Sequence, residues 1–312
     1  MINIHKFNSE KINAVTHTAP HHADEVFATA MLSVLFPVEL LRTRDQEIIK
    51  NTKAIVYDVG GEFDPSKKRF DHHQKSFSEI RNDGISYSSA GLIWREYGAS
   101  IVKSIAKTRP IDDGMTAVVV SLVDDALIRD IDARDNGQGE KGDSMSVSSA
   151  ISAYNSLWDE NEDADMCFLR ACDLATAILV REIKVAISTI RGRKLVADKI
   201  NTVDGPILVM DQFIGGWLEE VVNADSPKAA DLLFAVFPAT NGDWNIQAIP
   251  PSKEDMMGQR KPFPDTWRGL KDEQLAEVSG VETAIFCHKG GFFAVTKTKE
   301  DAINLAEKAV NS

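Results

Sequence analysis

The sequence predicts an α/β fold, a doubly wound parallel sheet in an N-terminal domain with a smaller α+β C-terminal domain. Three observations carry this reading. Short β-branched runs alternate with helix-period segments through the first 60 residues, a long helix-period stretch fills the middle, and paired strand-like runs return only after residue 200. The run INAVT (12–16) reads as a buried strand. In ADEVFATAMLSVLF (23–36), Val26, Phe27, Ala30, Met31, Val34 and Leu35 recur at helical spacing, and VELLRT (38–43) and KAIVYDVGG (53–61) are the next strands. SSAGLIWREYG opens a helix with Ser88 and Ser89 as cap candidates, and residues 112–137 form a long apolar-periodic segment ending at Asn136-Gly137. Gly, Ser and Asp dominate 137–149, which reads as a surface loop, and 164–200 reads as one or two connecting helices. In the last third, PILVMD, DLLFAVFP and WNIQAIP are strand-like, with Asn241-Gly242-Asp243 as a hairpin turn. IFCHKGGFFAVT reads as two strands around Gly290-Gly291, and TKEDAINLAEKAV as a terminal amphipathic helix. The expected division is residues 1–195, including the connecting helix, and 196–312. At 312 residues the chain is about twice a typical domain and long enough to bury a sizeable core.

With 47 acidic against 35 basic side chains the formal charge is −12, which argues against a protein that coats DNA through a general positive field. Three cysteines, Cys167, Cys172 and Cys287, form no C-x-x-C pair, a pattern that suits a reducing compartment, so a cytoplasmic location is expected. MINIHKFNSEKINAV lacks an apolar core and no stretch approaches the ~20 apolar residues of a membrane-spanning helix, so no membrane partner is expected.

Five of the seven histidines, His17, His21, His22, His72 and His73, fall in two short segments, each just after a predicted strand. Ligands of open parallel sheets bind beyond the carboxyl ends of strands, so THTAPHHADE, the Asp58 that ends AIVYD, and RFDHHQ converge on one crevice. Imidazoles (His17, His22, His72, His73) and carboxylates (Asp24, Asp58, Asp71 and a later helical Asp) form a mixed ligand set suited to Mn²⁺, Zn²⁺ or Fe²⁺ and tolerant of Mg²⁺. Two carboxylates about 4 Å apart repel by roughly 4 kcal/mol at an effective dielectric of 20, and a divalent cation reverses that sign. Asp71 is read as orienting an imidazole. In IDARDNG, Asp132 and Asp135 lie three apart on one helix face. Spacing alone leaves Asp132 and Asp135 both open as the helical ligand, with Asp124 and Asp125 as weaker candidates.

The blocks THTAPHHADE, VYDVGGEFDPSKKRFDHHQKSFSE, SSAGLIWREYG, IDARDNG, QRKPFPDTWRGLKDEQLAEVSG and HKGGFFAVTKT closely resemble, in order and spacing over nearly the whole chain, the Myg-type family. That family is labelled a metal-dependent protein hydrolase, and its eukaryotic members are regarded as RNA exonucleases. It resembles a branch of the DHH phosphoesterase superfamily. The resemblance implies two divalent cations, Mn²⁺ first, with Mg²⁺ or Zn²⁺ as alternatives. Asp58 would bridge them, His17 and His22 would complete one site, and Asp24, His72 and Asp132 the other. The usual first motif, H-x3-D-x-D, is here His17, His22 and Asp24, so an imidazole replaces one carboxylate after a one-residue lengthening, which shifts preference from Mg²⁺ toward Mn²⁺ or Zn²⁺. Ala23 stands where the family commonly has Cys. Asp58 and His73 are the expected catalytic residues, His73 facing the scissile phosphate as a proton or hydrogen-bond donor.

Substrate contacts are expected from Ser88 and Ser89 at a helix start, and from Arg260, Lys261 and Arg268 around Phe263 and Trp267, cations for phosphates beside aromatic faces for bases. His288, Lys289, Gly290 and Gly291 are added by similarity to a glycine-rich substrate-binding element. The leading reading is a two-metal phosphodiesterase, an exonuclease acting on single-stranded RNA or DNA in an interdomain cleft, with a 3′ start implied by the eukaryotic members only. Its alternatives are a small-molecule phosphoester or pyrophosphate hydrolase, favoured by the charge of −12, and a non-catalytic metal-binding interaction protein. Oligomeric state, a homo-oligomer included, is left open. Neither an H-E-x-x-H helix nor a nucleophile elbow supports proteolysis.

Overall fold

A computed structural model describes residues 1–139 and 145–312, which fall into two compact units, Met1–Ile187 and Ser188–Ser312. The fold is α/β. The first unit contains strands β1 (Ile2–His5), β2 (Ala14–Thr16), β3 (Val38–Arg42), β4 (Ile55–Tyr57), β5 (Phe63–Asp64) and β6 (Arg69–Phe70). Its helices are α1 (Ala23–Leu35), α2 (Gln46–Asn51), α3 (Ser89–Ile105), α4 (Asp113–Val123), α5 (Arg129–Asp135) and α6 (Val147–Ser152). The 39-residue α7 (Ala164–Thr202) contains the boundary between the units.

The sheet order is β1-β3-β2-β4-β6-β5, parallel throughout except for the antiparallel edge pair β6 and β5. Strands β2 and β4 are buried at every position, as the unbroken apolar runs AVT and IVY require of strands covered on both faces. From β2 the chain crosses through α1 to β3 on one side, then through α2 to β4 on the other. This reversal opens a crevice at the carboxyl ends of β2 and β4, with β6 next in line. α2, absent from the sequence reading, is held by Asp45, whose carboxylate accepts from the Glu47 and Ile48 N–H groups. Within residues 112–137 the helix is interrupted: α4 and α5 are separated by a π turn, Asp124–Ile128, in which the Arg129 N–H donates to the Asp124 carbonyl. The expected loop over 137–149 gives way to α6 at Val147, and its residues 140–144 lie outside the described residues.

The second unit has strands β7 (Ile207–Val209), β8 (Phe234–Pro238), β9 (Trp244–Ala248), β10 (Ala284–Cys287) and β11 (Phe293–Thr296). Helices α8 (Trp217–Asn223), α9 (Pro227–Asp231), α10 (Asp272–Ser279) and α11 (Lys299–Val310) accompany them. The sheet order is β10-β11-β9-β8-β7, antiparallel apart from β7 against β8. β8 feeds two cores by alternation. Phe234 and Val236 pack with Phe263, Trp267 and Leu305, while Ala235 and Phe237 pack with Met210 and Trp217. Among the described residues no helix is long and apolar enough to cross a membrane.

Candidate metal centre

Because β2, β4 and β6 are parallel neighbours, the residues that follow them leave the sheet at one edge: His17 after β2, Asp58 after β4, and Asp71, His72 and His73 after β6. α1 begins six residues beyond His17, which places His22 at its N-cap and Asp24 and Glu25 in its first turn, where carboxylates meet the positive end of the helix dipole. Asp58 sits in the left-handed region at φ 55°, a conformation that short polar side chains tolerate, and so turns its carboxylate away from the strand direction.

Asp58 is the centre of the cluster. Its Oδ2 lies 3.0 Å from His17 Nε2, and its Oδ1 lies 3.5 Å from both His72 Nε2 and His73 Nδ1. His72 Nε2 is also 3.3 Å from Asp135 Oδ2 and 3.8 Å from Asp24 Oδ2. Among the described residues three groups have ligand atoms within 4.8 Å of one another: His17, His22, Glu25 and Asp58; Asp58, His72 and His73; and His22, Asp24 and Asp135. Asp58 and His22 each belong to two of them.

Electrostatics sharpens this picture. Burial would lower the His17 imidazolium, but hydrogen bonds to Asp58 and Glu25 prevail and push it up to about 10. Burial works against the Asp58 carboxylate, and the hydrogen bond from His17 with the nearby His72 imidazole holds it well below the usual range all the same. Asp24 is driven well above that range by complete burial and then by the charges of Asp58, Asp135 and Glu25. Asp135 is raised by burial and by Asp58, with His72 pulling the other way. Buried polar atoms in proteins nearly always find a partner. Here both oxygens of Asp24, Oδ1 of Asp58 and Nε2 of His72 are buried with no hydrogen bond. Four such atoms, all potential ligands and all within this cluster, fit divalent cations in a mixed nitrogen and oxygen set.

The supporting contacts are equally specific. His17 Nδ1 donates to the Thr18 carbonyl, the backbone bond that commonly fixes the tautomer of an imidazole whose other nitrogen ligates a metal. Glu25 receives the His22 N–H on both oxygens and lies 3.2 Å from His17 Nε2. Asp71 is held by N–H groups of Gly61 and His73 and in turn binds His73 Nδ1 at 2.8 Å. His73, with 63% of its side chain exposed, faces a pocket of about 530 Å³ lined also by His17, His22, Arg44, Asp58 and Gly61. His21 turns away from this pocket. It is buried against Phe168 with Nε2 near the Ile151 carbonyl, and burial lowers it to about 4.

Several expected site residues lie elsewhere. The helical carboxylate at the cluster is Asp135, not Asp132. Asp132 is fully buried one turn earlier, where it accepts from Arg81 Nε at 2.7 Å, from Ser88 N and Oγ at 3.1 and 2.6 Å, and from Gly91 N at 3.0 Å. Its capacity is spent on the amino end of α3. Ser88 is therefore a structural donor, and Ser89, which donates to the Phe70 carbonyl, is another. Both are fully buried and neither offers a group to substrate. Arg260 donates to the carbonyls of Pro250, Ala229, Ala230 and Leu232, Lys261 to that of Ser312, and Arg268 to that of Phe263 while pairing with Asp265. Phe263 and Trp267 are core residues, buried rather than presented for stacking. His288 accepts the Gly290 N–H at Nδ1, Gly291 is closed over by Arg268, and Lys289 is exposed. The sequence reading missed Glu25, Arg44 and Gln46. The acidic first turn after His22 signalled Glu25, whereas nothing in the RTRDQ run set Arg44 or Gln46 apart.

Residues 13–310 match the model of MYG1_exonuc, described as an uncharacterised protein family (UPF0160). A MYG1 exonuclease of Homo sapiens is 31% identical over 318 residues, covering 93% of this chain and 84% of that protein. A MYG1 protein of Caenorhabditis elegans is 32% identical over 321 residues, with coverages of 95% and 94%. A MYG1 protein of Dictyostelium discoideum is 30% identical over 320 residues, with 95% of each chain covered. A solved structure, a pGpG-specific phosphodiesterase from Vibrio, aligns over 96% of this chain and 97% of its own at 12% identity and a TM-score of 0.29, a likeness too low to carry any argument. With the family match and these relatives spanning nearly its full length, the chain belongs to the MYG1 family.

Proposed function

We propose that this protein is a metal-dependent phosphodiesterase that removes nucleotides from single-stranded RNA, starting at the 3′ end, with its chemistry in the first unit. The observation that carries the reading is the set of partnerless buried ligand atoms on Asp24, Asp58 and His72, and the names of the mammalian relatives as exonucleases support it. His17, His22 and Asp58 would hold one cation, and Asp24, Asp58, His72 and Asp135 a second, with Mn²⁺ the best match to the imidazole content. Such cations, when bound, supply Lewis-acid polarisation of a phosphoryl oxygen and an acidified water.

The protein's own residues supply the rest. Asp71, kept ionised by hydrogen bonds from His73 and Gly61 against its partial burial, anchors His73 through Nδ1. That bond raises the His73 imidazolium, which favours the form whose Nε2 carries a proton for the departing oxygen of the substrate. Glu25 steadies His17 and the start of α1, and the left-handed turn at Asp58 keeps both of its oxygens toward the ligand set.

The test is incubation of purified protein with Mn²⁺, Mg²⁺ or chelator and either end-labelled RNA or pyrophosphate, alongside Asp58→Asn and His73→Ala. A cation-dependent ladder from the 3′ end that both variants abolish is expected. Cleavage of pyrophosphate alone would move the function to a small phosphoester, and tight cation binding with neither substrate cut would refute an enzyme.

A further inference from the structure

The pocket beside the ligand cluster has two carboxylates, Asp58 and Asp71, in its wall, yet the substrate class proposed above is anionic. Among the described residues lining it, Arg44 is the only Arg or Lys, and Gln46 stands beside it. Arg44 follows β3, whose carboxyl end adjoins that of β2, so it reaches the site from the side opposite β4 and β6.

The guanidinium of Arg44 is not committed. Among the described residues it has no carboxylate within ion-pair distance, and the polar side-chain atom it approaches is His17 Nδ1, at 3.3 Å from Nη2. That nitrogen lies 2.5 Å from the Thr18 carbonyl oxygen, which can only accept, so the hydrogen sits on Nδ1. Two donors therefore face each other. Arg42, two residues earlier, shows the contrast: it is buried, pairs with Asp165 and donates to the carbonyls of His17 and Ala164. Across the pocket the wall is Gly60-Gly61, with φ of 105° and 67°. A Cβ built at Gly61 meets nothing within 4 Å, so the backbone leaves open space there for a ligand.

We infer that Arg44, with Gln46 beside it, is a phosphate-binding residue that holds the phosphoryl oxygens of the substrate against the ligand cluster. The inference rests on the phosphoesterase reading. A planar guanidinium matches two oxygens of a phosphoryl group at once, whereas a lysine ammonium meets them as a point charge. Arg44 is exposed and holds no part of the core, so replacing it leaves the fold intact.

The experiment is calorimetric titration of inorganic phosphate into Mg²⁺-saturated wild-type, Arg44→Lys and Arg44→Gln protein, with Mn²⁺ titrated separately into the metal-free forms. Arg44→Gln is expected to weaken phosphate binding at least tenfold, equivalent to about 1.4 kcal/mol. Arg44→Lys should fall between, and Mn²⁺ affinity should stay within about threefold of wild type. On RNA, Arg44→Gln should raise KM far more than it lowers kcat. Equal phosphate affinity in wild type and Arg44→Gln, or no phosphate binding by the wild type, overturns the assignment. Wild-type protein that binds phosphate through Arg44 yet hydrolyses no phosphodiester would instead refute the proposed function and leave this site standing.

Discussion

Asp132 and Asp135 are the same residue type, three positions apart on one short helix, and the structure assigns them opposite duties. Replacing each by alanine should separate those duties cleanly. The Asp132 carboxylate, fully buried, receives Arg81, the Ser88 N–H and O–H, and the Gly91 N–H. Its removal strands two buried backbone donors, at about 1–3 kcal/mol each, and breaks a buried ion pair, a loss of about 3–5 kcal/mol. These costs overlap because one carboxylate serves all of them, and Asp124 still holds the Arg81 guanidinium. The expected destabilisation is therefore about 3 kcal/mol. Asp135, with 19% of its side chain exposed, has only His72 as a close partner and suffers the repulsion of Asp58. Asp135→Ala should change metal-free stability by less than about 1 kcal/mol and weaken Mn²⁺ binding tenfold or more, at least the loss known for residues that merely support a ligand. Urea unfolding of the metal-free proteins and calorimetric Mn²⁺ titration read the two effects. An Asp132→Ala protein as stable as wild type but impaired in Mn²⁺ binding, or an Asp135→Ala protein with the reverse profile, would refute the assignment.

Three further outcomes follow from the same contacts. A Cβ at Gly91 would lie 2.1 Å from Asp132 Oδ2, so Gly91→Ala should cost about 1–3 kcal/mol by overpacking, and a urea midpoint equal to wild type would contradict the clash. With its imidazolium pushed up to about 10, His17 is protonated at pH 7 in the metal-free protein, and a cation can bind Nε2 only after that proton leaves. Mn²⁺ binding should thus release at least the His17 proton, visible as a dependence of the calorimetric enthalpy on buffer ionisation heat; a buffer-independent enthalpy would count against His17 as a ligand. Arg260→Gln removes donors to several backbone carbonyls and should lower the thermal midpoint while leaving the salt dependence of RNA affinity unchanged, whereas a shallower slope would restore Arg260 to a phosphate-binding role.

The fold was legible where burial imposes a pattern. Strands covered on both faces must be apolar without interruption, so Ala14–Thr16 and Ile55–Tyr57 stand out, and α1 declares itself by Val26, Phe27, Ala30 and Met31 at helical spacing. β1 and β5 sit at sheet edges with partly exposed residues and carry no such signature, and β6 is only two residues long. The six-residue α2 rests on its Asp45 cap more than on periodicity. In the second unit the basic and aromatic residues of RKPFPDTWR looked like a nucleic-acid surface because composition records residue types and not directions. Phe263 and Trp267 turn into the core, and the cations flanking them tie down backbone carbonyls.

At the site, topology did most of the work. Once β2, β4 and β6 are parallel neighbours, residues 17, 58 and 72 must meet, because the histidines and aspartates directly follow the strands. Which helical carboxylate joins the cluster was beyond such reasoning for a definite cause. The apolar rhythm of α4 fixes a face through Thr116, Val119 and Val123, but the π turn at Asp124–Ile128 inserts a residue and rotates everything after it by about 100°. Residues 132 and 135 then lie about 4.5 Å apart along the axis, and what separates them is the neighbour each meets. Asp132 is level with the amino end of α3, whose free N–H groups and dipole claim a carboxylate, and Arg81 reaches it from a loop fifty residues away. Asp135, at the last position of α5, is left for the cluster. The two carboxylates are linked all the same: Arg81 joins Asp124, where the π turn begins, to Asp132, four residues past its end, and so spans the segment that carries Asp135 to His72.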